Sequence, residues 1–412
     1  MPCAHPGHAL DDVAECGRSR KERAGGSRSL PWRAAQQVKV IVPDGPPLVL
    51  GGIGPVGHLA RISAPQPGLL SRTLGRRPER AQRMNRPVHV LVYPSGAESA
   101  LEVWHALKHV VNVRVHGASS RSDHGDLCFA HRIEGLGNVS DPEFAERLVQ
   151  VVADNRIDAI FPCHDTVAVA LAALQPRLSA RVVCSPLPTA EHCRSKRALL
   201  DLFAPDGLMA PDVGTDPGAD RFPLFAKPDL GEGGKGTARL ADRAAYDRFF
   251  AHEDRARYVV SAYLPGEEFT VDCLTDREGK LRFVGPRTRE RVLAGISVRT
   301  RRVPAEPFMA MARTINERLA LRGLWFFQVK RDALGRPWLM EVSTRTASSM
   351  GLHRAYGVNL PLLALYDALG LNVRVMPQPF AAMMDRALTP KFALDIPYST
   401  VYLDLDDTLI MH

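Results

Sequence analysis

The stretch Leu230-Gly-Glu-Gly-Gly-Lys-Gly-Thr237 packs four glycines and a lysine into a short run. Gly231, Gly233, Gly234 and Gly236 let backbone N–H groups turn toward phosphate oxygens, and Lys235 adds a point charge. The GxxxxGK[ST] spacing of a Walker loop is absent. Alone, such a loop fits a flexible surface hairpin as well as a phosphate cradle. Its surroundings favour the cradle. Lys227 ends an apolar strand expected over 223–227, directly before Pro228, where its ammonium can reach α- and β-phosphates. Further on, Tyr263-Leu-Pro-Gly-Glu-Glu268 offers a strand end whose backbone can meet an adenine edge, and Glu268 suits ribose hydroxyls. Gln328 and Glu341 fall on two expected strands, 324–330 and 338–342, joined by the turn Asp332-Ala-Leu-Gly335. Their oxygens can converge on a divalent cation bridging β- and γ-phosphates. Arg345 can then neutralise a transferred phosphoryl group.

Other clusters carry less. Arg287-Thr-Arg-Glu-Arg291 is either a solvated face or, through Arg289 and Arg291, a bidentate clamp on a substrate carboxylate. Cys163-His164-Asp165 ends a strand, and three adjacent residues make no nucleophilic triad. Gly52, Gly54 and Gly57 match GxGxxG, but Pro65 and Pro67 interrupt any helix to follow. Cys3, His5 and His8 lie close together in a glycine- and proline-rich terminus, where coil is the better reading than a metal site.

Taken in order, Lys196, Phe225-Ala-Lys-Pro228, the glycine loop, Tyr263-Leu-Pro-Gly-Glu-Glu268, Gln328 and Glu341-Val-Ser-Thr-Arg345 resemble the ATP-grasp superfamily, its carbamoyl-phosphate-synthetase-like branch above all. The resemblance runs from about residue 87 to 371. It implies an ATP- and Mg²⁺- (or Mn²⁺-) dependent ligase that converts a substrate carboxylate to an acyl phosphate for attack by an amine. A degenerate or regulatory nucleotide-binding module is the alternative. It also implies roles: Lys196 and Lys227 on ATP phosphates, Ser261, Tyr263 and Leu264 around adenine, Glu268 on ribose. Gln328, Glu341 and Ser343 would hold metal, and Arg345 would sit beside the acyl phosphate. The family usually carries Asn where Ser343 stands, and Glu or Gln where Ser261 stands. A second resemblance is C-terminal: Val401-Tyr-Leu-Asp-Leu-Asp-Asp-Thr408 looks like the opening DxDxT motif of haloacid-dehalogenase-like phosphatases, with Asp404 and Asp406 in the acidic positions.

The elements that must position these groups follow from the hydropathy pattern. Residues 1–84 are rich in Gly and Pro and read as a disordered leader. From 85 to 190 strands alternate with helices, as in a parallel α/β domain. Expected strands cover 88–93, 113–116, 157–161 and 181–184, with a helix after Asp141 whose face is Phe144, Leu148 and Val151. Residues 191–375 read as an α+β ATP-grasp domain, 376–398 as a linker, and 399–412 as a truncated phosphatase-like start.

Hydrophobic residues make up 45% of the 412-residue chain, which excludes wholesale disorder, and no apolar run is long enough to span a membrane. The net charge of +8 suggests nucleic acid until it is divided by region. Residues 1–86 hold 14 Lys+Arg against 6 Asp+Glu, so 87–412 balance at zero. The seven cysteines form no CxxC pair, which fits reduced thiols in the cytoplasm. Neither nucleic acid nor membrane is an expected partner, and the ATP-grasp resemblance implies a small-molecule carboxylate and amine as substrates.

Overall fold

The computed structural model describes residues 86–231 and 233–387. The expected leader, the GxGxxG match, the Cys3 cluster and the phosphatase-like motif lie outside the described residues.

The first sheet grows from β1 (Val88–Tyr93), whose uninterrupted VHVLVY run suits a strand covered on both faces. With β2 (Val113–Ala118), β3 (His131–Ile133), β4 (Ala159–Pro162) and β5 (Arg181–Val182) it forms a parallel sheet in the order β3-β2-β1-β4-β5. Alternation along β1 divides the core. Val90 and Val92 pack with Ala100 and Val103 of α1 (Glu98–Leu107). Leu91 and Tyr93 face α2 (Phe144–Asp154) and α3 (Asp165–Leu174) through Phe144, Leu148 and Leu171. The buried face of α2 is Phe144, Leu148 and Val152; Val151, expected there, is only partly buried. Asp141 does not cap this helix. Its carboxylate accepts from the Asn138 amide at 2.7 Å, so the helix opens later, at Phe144, behind Glu143.

After α4 (Leu187–Arg194) and α5 (Lys196–Phe203), a small antiparallel sheet joins β6 (Leu224–Pro228), β7 (Ala238–Leu240) and β8 (Tyr258–Ala262). Tyr246 of α6 (Arg243–Phe250) packs into the core beneath it.

A larger antiparallel sheet follows. β9 (Glu268–Thr275) pairs with β10 (Leu281–Thr288); β11 (Arg291–Leu293) and β12 (Ile296–Arg301) form a hairpin; α7 (Glu306–Arg318) leads into β13 (Gly323–Arg331) and β14 (Pro337–Ser343). The order is β10-β9-β13-β14. Phe269, Val271 and Cys273 turn toward α7 and α5, meeting Phe308, Met311, Ile315, Leu199 and Phe203. Glu268, Thr270 and Asp272 therefore turn to the opposite face, because successive strand residues alternate.

Two pieces escaped the sequence pattern. The stretch 376–398, read as a linker, contributes β15 (Met383–Asp385), which pairs with β12 through Arg299↔Asp385. Helix α8 (Leu360–Ala368) packs against α1 and β13, and its Leu360 and Leu365 share a core with Val90.

Phe203 is fully buried at the end of the helix that begins with Lys196. Phe203→Ala should cost about 3–5 kcal/mol by urea denaturation, the range for emptying a buried aromatic site. A loss under about 1 kcal/mol would show that α5 is not anchored by this core.

Candidate active site

One cavity of about 450 Å³ gathers most of the singled-out residues. The small sheet supplies Lys227, Ser261, Tyr263 and Leu264, and the glycine loop supplies Gly231, Gly233, Gly234 and Lys235. The larger sheet supplies Glu268, Gln328 and Glu341. Lys196 and Arg345 complete it.

Lys196 is the first residue of α5, whose N-cap Ser195 accepts from the Ala198 amide and donates to the Asp229 carboxylate at 2.8 Å. That start aims the Lys196 ammonium at the loop, where it donates to the Gly231 carbonyl at 3.0 Å and the Asp229 carbonyl at 3.3 Å. Burial lowers the Lys196 pKa, with Glu341 opposing the shift and Arg194 adding to it. Lys227 stands at the end of β6 with its ammonium 3.4 Å from the Met340 sulfur. Burial pushes it down to about 8, against the pull of Glu341 and with the repulsion of Lys196. Two ammonium groups are thus held in a partly dry pocket with little to satisfy them, an arrangement that favours an incoming anion.

Gln328 and Glu341 are directly paired across β13 and β14. Among the described residues neither side chain has a hydrogen bond or salt bridge. After this pair the register shifts, with Val329 opposite Leu339, so Met340 is the extra residue of a bulge. The bulge explains why the consecutive residues Met340 and Glu341 both line the cavity. A carboxylate and a carboxamide oxygen side by side, with no protein partner, are a donor set that fits a hard divalent cation.

Glu268 lies between two cations, Arg289 Nε at 2.6 Å and Lys330 Nζ at 3.4 Å. Arg345 donates through Nε to the Asp165 carboxylate at 3.0 Å, and Ser343 Oγ donates to the same carboxylate at 2.5 Å. Burial works against ionisation of Asp165, yet Arg345 and the Ser343 hydroxyl outweigh it and hold its pKa low. Cys163, at the neighbouring strand end, has its thiol pushed up to about 12 by burial and is no nucleophile near neutrality.

Three expected residues are off the wall of this cavity. Arg291 does not line the cavity: it sits exposed on the β11 edge, paired with Asp385 of β15, while Arg287 and Arg289 on the neighbouring strand do line it. Ser343 is absent from this cavity but lines a small adjoining pocket with Glu341 and Arg345, where its hydroxyl donates to Asp165. Gly236 is off the cavity wall and instead makes room for Pro228, whose Cγ lies 2.9 Å from where a Cβ would stand. The sequence reading missed Thr270, Lys330 and the α1 start at Ala97 and Ser99, all lining the cavity. Two-residue alternation from Glu268 and Gln328 signals the first two; nothing local signals the third.

Comparison with solved structures decides the fold. The chain superposes on N5-carboxyaminoimidazole synthetase from Staphylococcus aureus, complexed with ADP, at a TM-score of 0.60 and 14% identity, covering 73% of this chain and 82% of that one. The biotin carboxylase domain of Hydrogenobacter thermophilus 2-oxoglutarate carboxylase, in complex with MgADP, ADP and bicarbonate, gives 0.58 at 15% identity, covering 72% and 73%. L-amino acid ligase from Bacillus licheniformis gives 0.54 at 18% identity, covering 69% and 74%. Residues 254–389 match the family model described as ATP-grasp in the biosynthetic pathway with Ter operon. The fold is the ATP-grasp fold. Comparison of the sequence with curated proteins finds no match. In ATP-grasp terms the described elements are a parallel α/β unit followed by the two antiparallel sheets that face one another across the cavity. No helix among the described residues is long and apolar enough to cross a membrane.

If Lys227 contacts the nucleotide phosphates, its depressed pKa gives binding a pH dependence. The free ammonium loses its charge as pH rises through about 8, and only the charged form attracts phosphate. The ADP dissociation constant should therefore rise roughly tenfold or more between about pH 7 and about pH 9.5. Lys227→Met should bind weakly throughout and lose most of this dependence. Calorimetric titration of ADP across the range checks it; an affinity independent of pH in the unaltered chain refutes it.

Proposed function

We propose that this chain is an ATP- and Mg²⁺-dependent ligase that joins a carboxylate to an amine, acting in the cytoplasm on small molecules. The observation that carries the reading is the convergence of Lys196, Lys227, Glu341, Gln328 and Arg345 on one cavity. In this reading Lys196 and Lys227 bind the nucleotide phosphates, with the glycine loop closing over them through Gly231, Gly233, Gly234 and Lys235. Ser261, Tyr263 and Leu264 border the adenine, and Glu268 takes the ribose. Gln328 and Glu341 hold magnesium, which when bound neutralises charge across the β- and γ-phosphates.

The substrate carboxylate oxygen attacks the γ-phosphorus and the bond to the bridging β–γ oxygen breaks, releasing ADP. The acyl phosphate is then attacked at carbon by the amine, phosphate leaves with the bonding pair, and the amine loses a proton. Arg345 lies where it can stabilise charge on the acyl phosphate. Asp165, by holding the guanidinium, orients it. No side chain need become covalently attached. The work of the protein is positioning and charge stabilisation. The three structural neighbours are named as a synthetase, a carboxylase domain and a ligase, which supports this class of reaction.

Ser343, standing where the family usually carries Asn, favours a second reading, an ATP-binding module without ligase turnover. Release of ADP dependent on a carboxylate separates the two. Glu341→Gln should lower that release about a hundredfold or more, as loss of a charge-neutralising ligand in a transition state does, while ADP still binds through Lys196 and Lys227. Turnover of Glu341→Gln equal to the unaltered chain would remove the strand pair from the chemistry. Absence of carboxylate-dependent ADP release from a broad panel of carboxylates and amines would favour the binding module.

A further inference from the structure

Arg287 lines the same cavity, and the lysine-centred mechanism does not use it. Its side chain is only 2% exposed. One edge of the guanidinium is fixed: Nε donates to Asp272 Oδ2 at 2.7 Å. Asp272 is held in turn by His353, whose Nε2–H donates to the same oxygen at 2.7 Å, while Tyr356 O–H donates to His353 Nδ1. Burial keeps His353 neutral near pH 7, so the group carries one buried anion and one buried cation. Gly285 is part of this arrangement. A Cβ there would lie 2.6 Å from His353 Cε1, so only glycine admits the ring. Among the described residues, Nη1 of Arg287 is buried with no hydrogen-bond partner, and so is Oδ1 of Asp272. A rigid guanidinium with an unanswered donor in a cavity wall has the chemistry of an oxyanion site. Arg289 also has a buried nitrogen without a hydrogen bond, its Nε, but that nitrogen is ion-paired with Glu268 at 2.6 Å and its Nη2 donates to the Gly295 carbonyl at 2.9 Å.

Position separates Arg287 from the metal ligands. Strand pairing aligns Arg287 with Thr270, Thr270 with Gln328, and Gln328 with Glu341, one residue from each strand of the sheet. Arg287 and Glu341 stand at opposite edges, three strand spacings or roughly 14 Å apart along the backbone. An anion on Arg287 is thus a different group from the carboxylate that reacts at the Glu341 edge.

We propose that Arg287 anchors a second, non-reacting anionic group of the substrate, a carboxylate or a phosphate monoester, so that the ligase acts on a dianion. This deepens the ligase reading and rests on it.

The test uses the full chain loaded with MgADP. Short α,ω-dicarboxylates, the matching ω-phosphonocarboxylates and chain-matched monocarboxylates are titrated by calorimetry, and each is assayed for ADP release from MgATP with an amine panel. At least one dianion should bind about tenfold or more tighter than its monocarboxylate, about 1.4 kcal/mol or more. Whichever dianion series wins identifies the anchored group. Arg287→Met should abolish that preference while MgADP affinity stays within about twofold; if it fails to fold, Arg287→Lys, which keeps a cation beside Asp272, should reduce the preference. In the assay the variants should raise KM for the dianion far more than they lower kcat, as loss of a non-reacting contact does. Monocarboxylates binding as tightly as dianions, a preference that survives in the variants, or no binding by any probe overturns the proposal. Arg287-dependent binding of a dianion without ADP release would leave the anchor standing and remove the ligase reading instead.

Discussion

The site depends on the register of one sheet. Pairing of β9 with β13 sets Thr270 against Gln328, and β10 and β14 extend the row to Arg287 on one side and Glu341 on the other. All four line the cavity. Their neighbours on the same strands, Phe269, Val271, Phe327 and Val329, are buried in the core beneath. Slipping any strand by one residue would put a charged or polar group into that core and a hydrophobe into the site. The burial that holds the sheet together is therefore what keeps its polar row in place. The β14 bulge is the one local exception, and it adds Met340 to the wall without moving Glu341 out of it.

Charge within this frame is unevenly balanced. Arg289 and Lys330 answer Glu268, Arg345 answers Asp165, and Arg287 answers Asp272. Lys196 and Lys227 make no salt bridge among the described residues: they feel the fields of Glu341 and, more weakly, of Asp229 and Asp165 at Lys196 and of Glu268 at Lys227, besides a few carbonyl or sulfur contacts. Since burial penalises both ammonium ions, the cavity is electrostatically complete only with an anion in it. The hairpin turn at Gly295 bears on the same point. A Cβ there would stand 2.7 Å from Gly233 Cα, so the glycine loop and the β11–β12 turn meet backbone to backbone over the site. Glycine serves here by permitting close approach as well as by turning the chain.

What could be read in advance was whatever local pattern encodes. Lys227, Gln328 and Glu341 were legible because strand alternation and a short turn fix where such side chains point. Arg345 is legible from its place four residues after Glu341, whereas Lys196 is legible only through the family resemblance. Arg291 failed because a basic run does not reveal where one strand stops and the next begins: Arg287 belongs to β10, while Arg291 belongs to the exposed edge of a separate hairpin. The surroundings of Ser343 were hidden for another reason. Its partner, Asp165, is 178 positions away in sequence, and no spacing rule reaches it. β15 was invisible because three residues of mixed polarity become a strand only when β12 offers them an edge. Helix α8 was invisible because its apolar side chains share a core with α1, far back in the chain.

Asp165 also shows how the α/β unit and the grasp sheets become one site. It opens α3 directly after the end of β4, the place where parallel sheets present side chains to a ligand. Instead of a ligand of its own, it takes Ser343 and Arg345 from the end of β14. Ser99 hydrogen-bonds to the Cys163 carbonyl at 2.6 Å, tying the start of α1 to that same strand end. Glu102 of α1 pairs with Arg354, and Leu360 and Leu365 of α8 complete the hydrophobic cluster around Val90. Arg345 thus owes its orientation to a carboxylate on one sheet and its backbone position to another. A shift of the α/β unit relative to β14 would move this guanidinium without disturbing Glu341, whose place is fixed by its own strand partner.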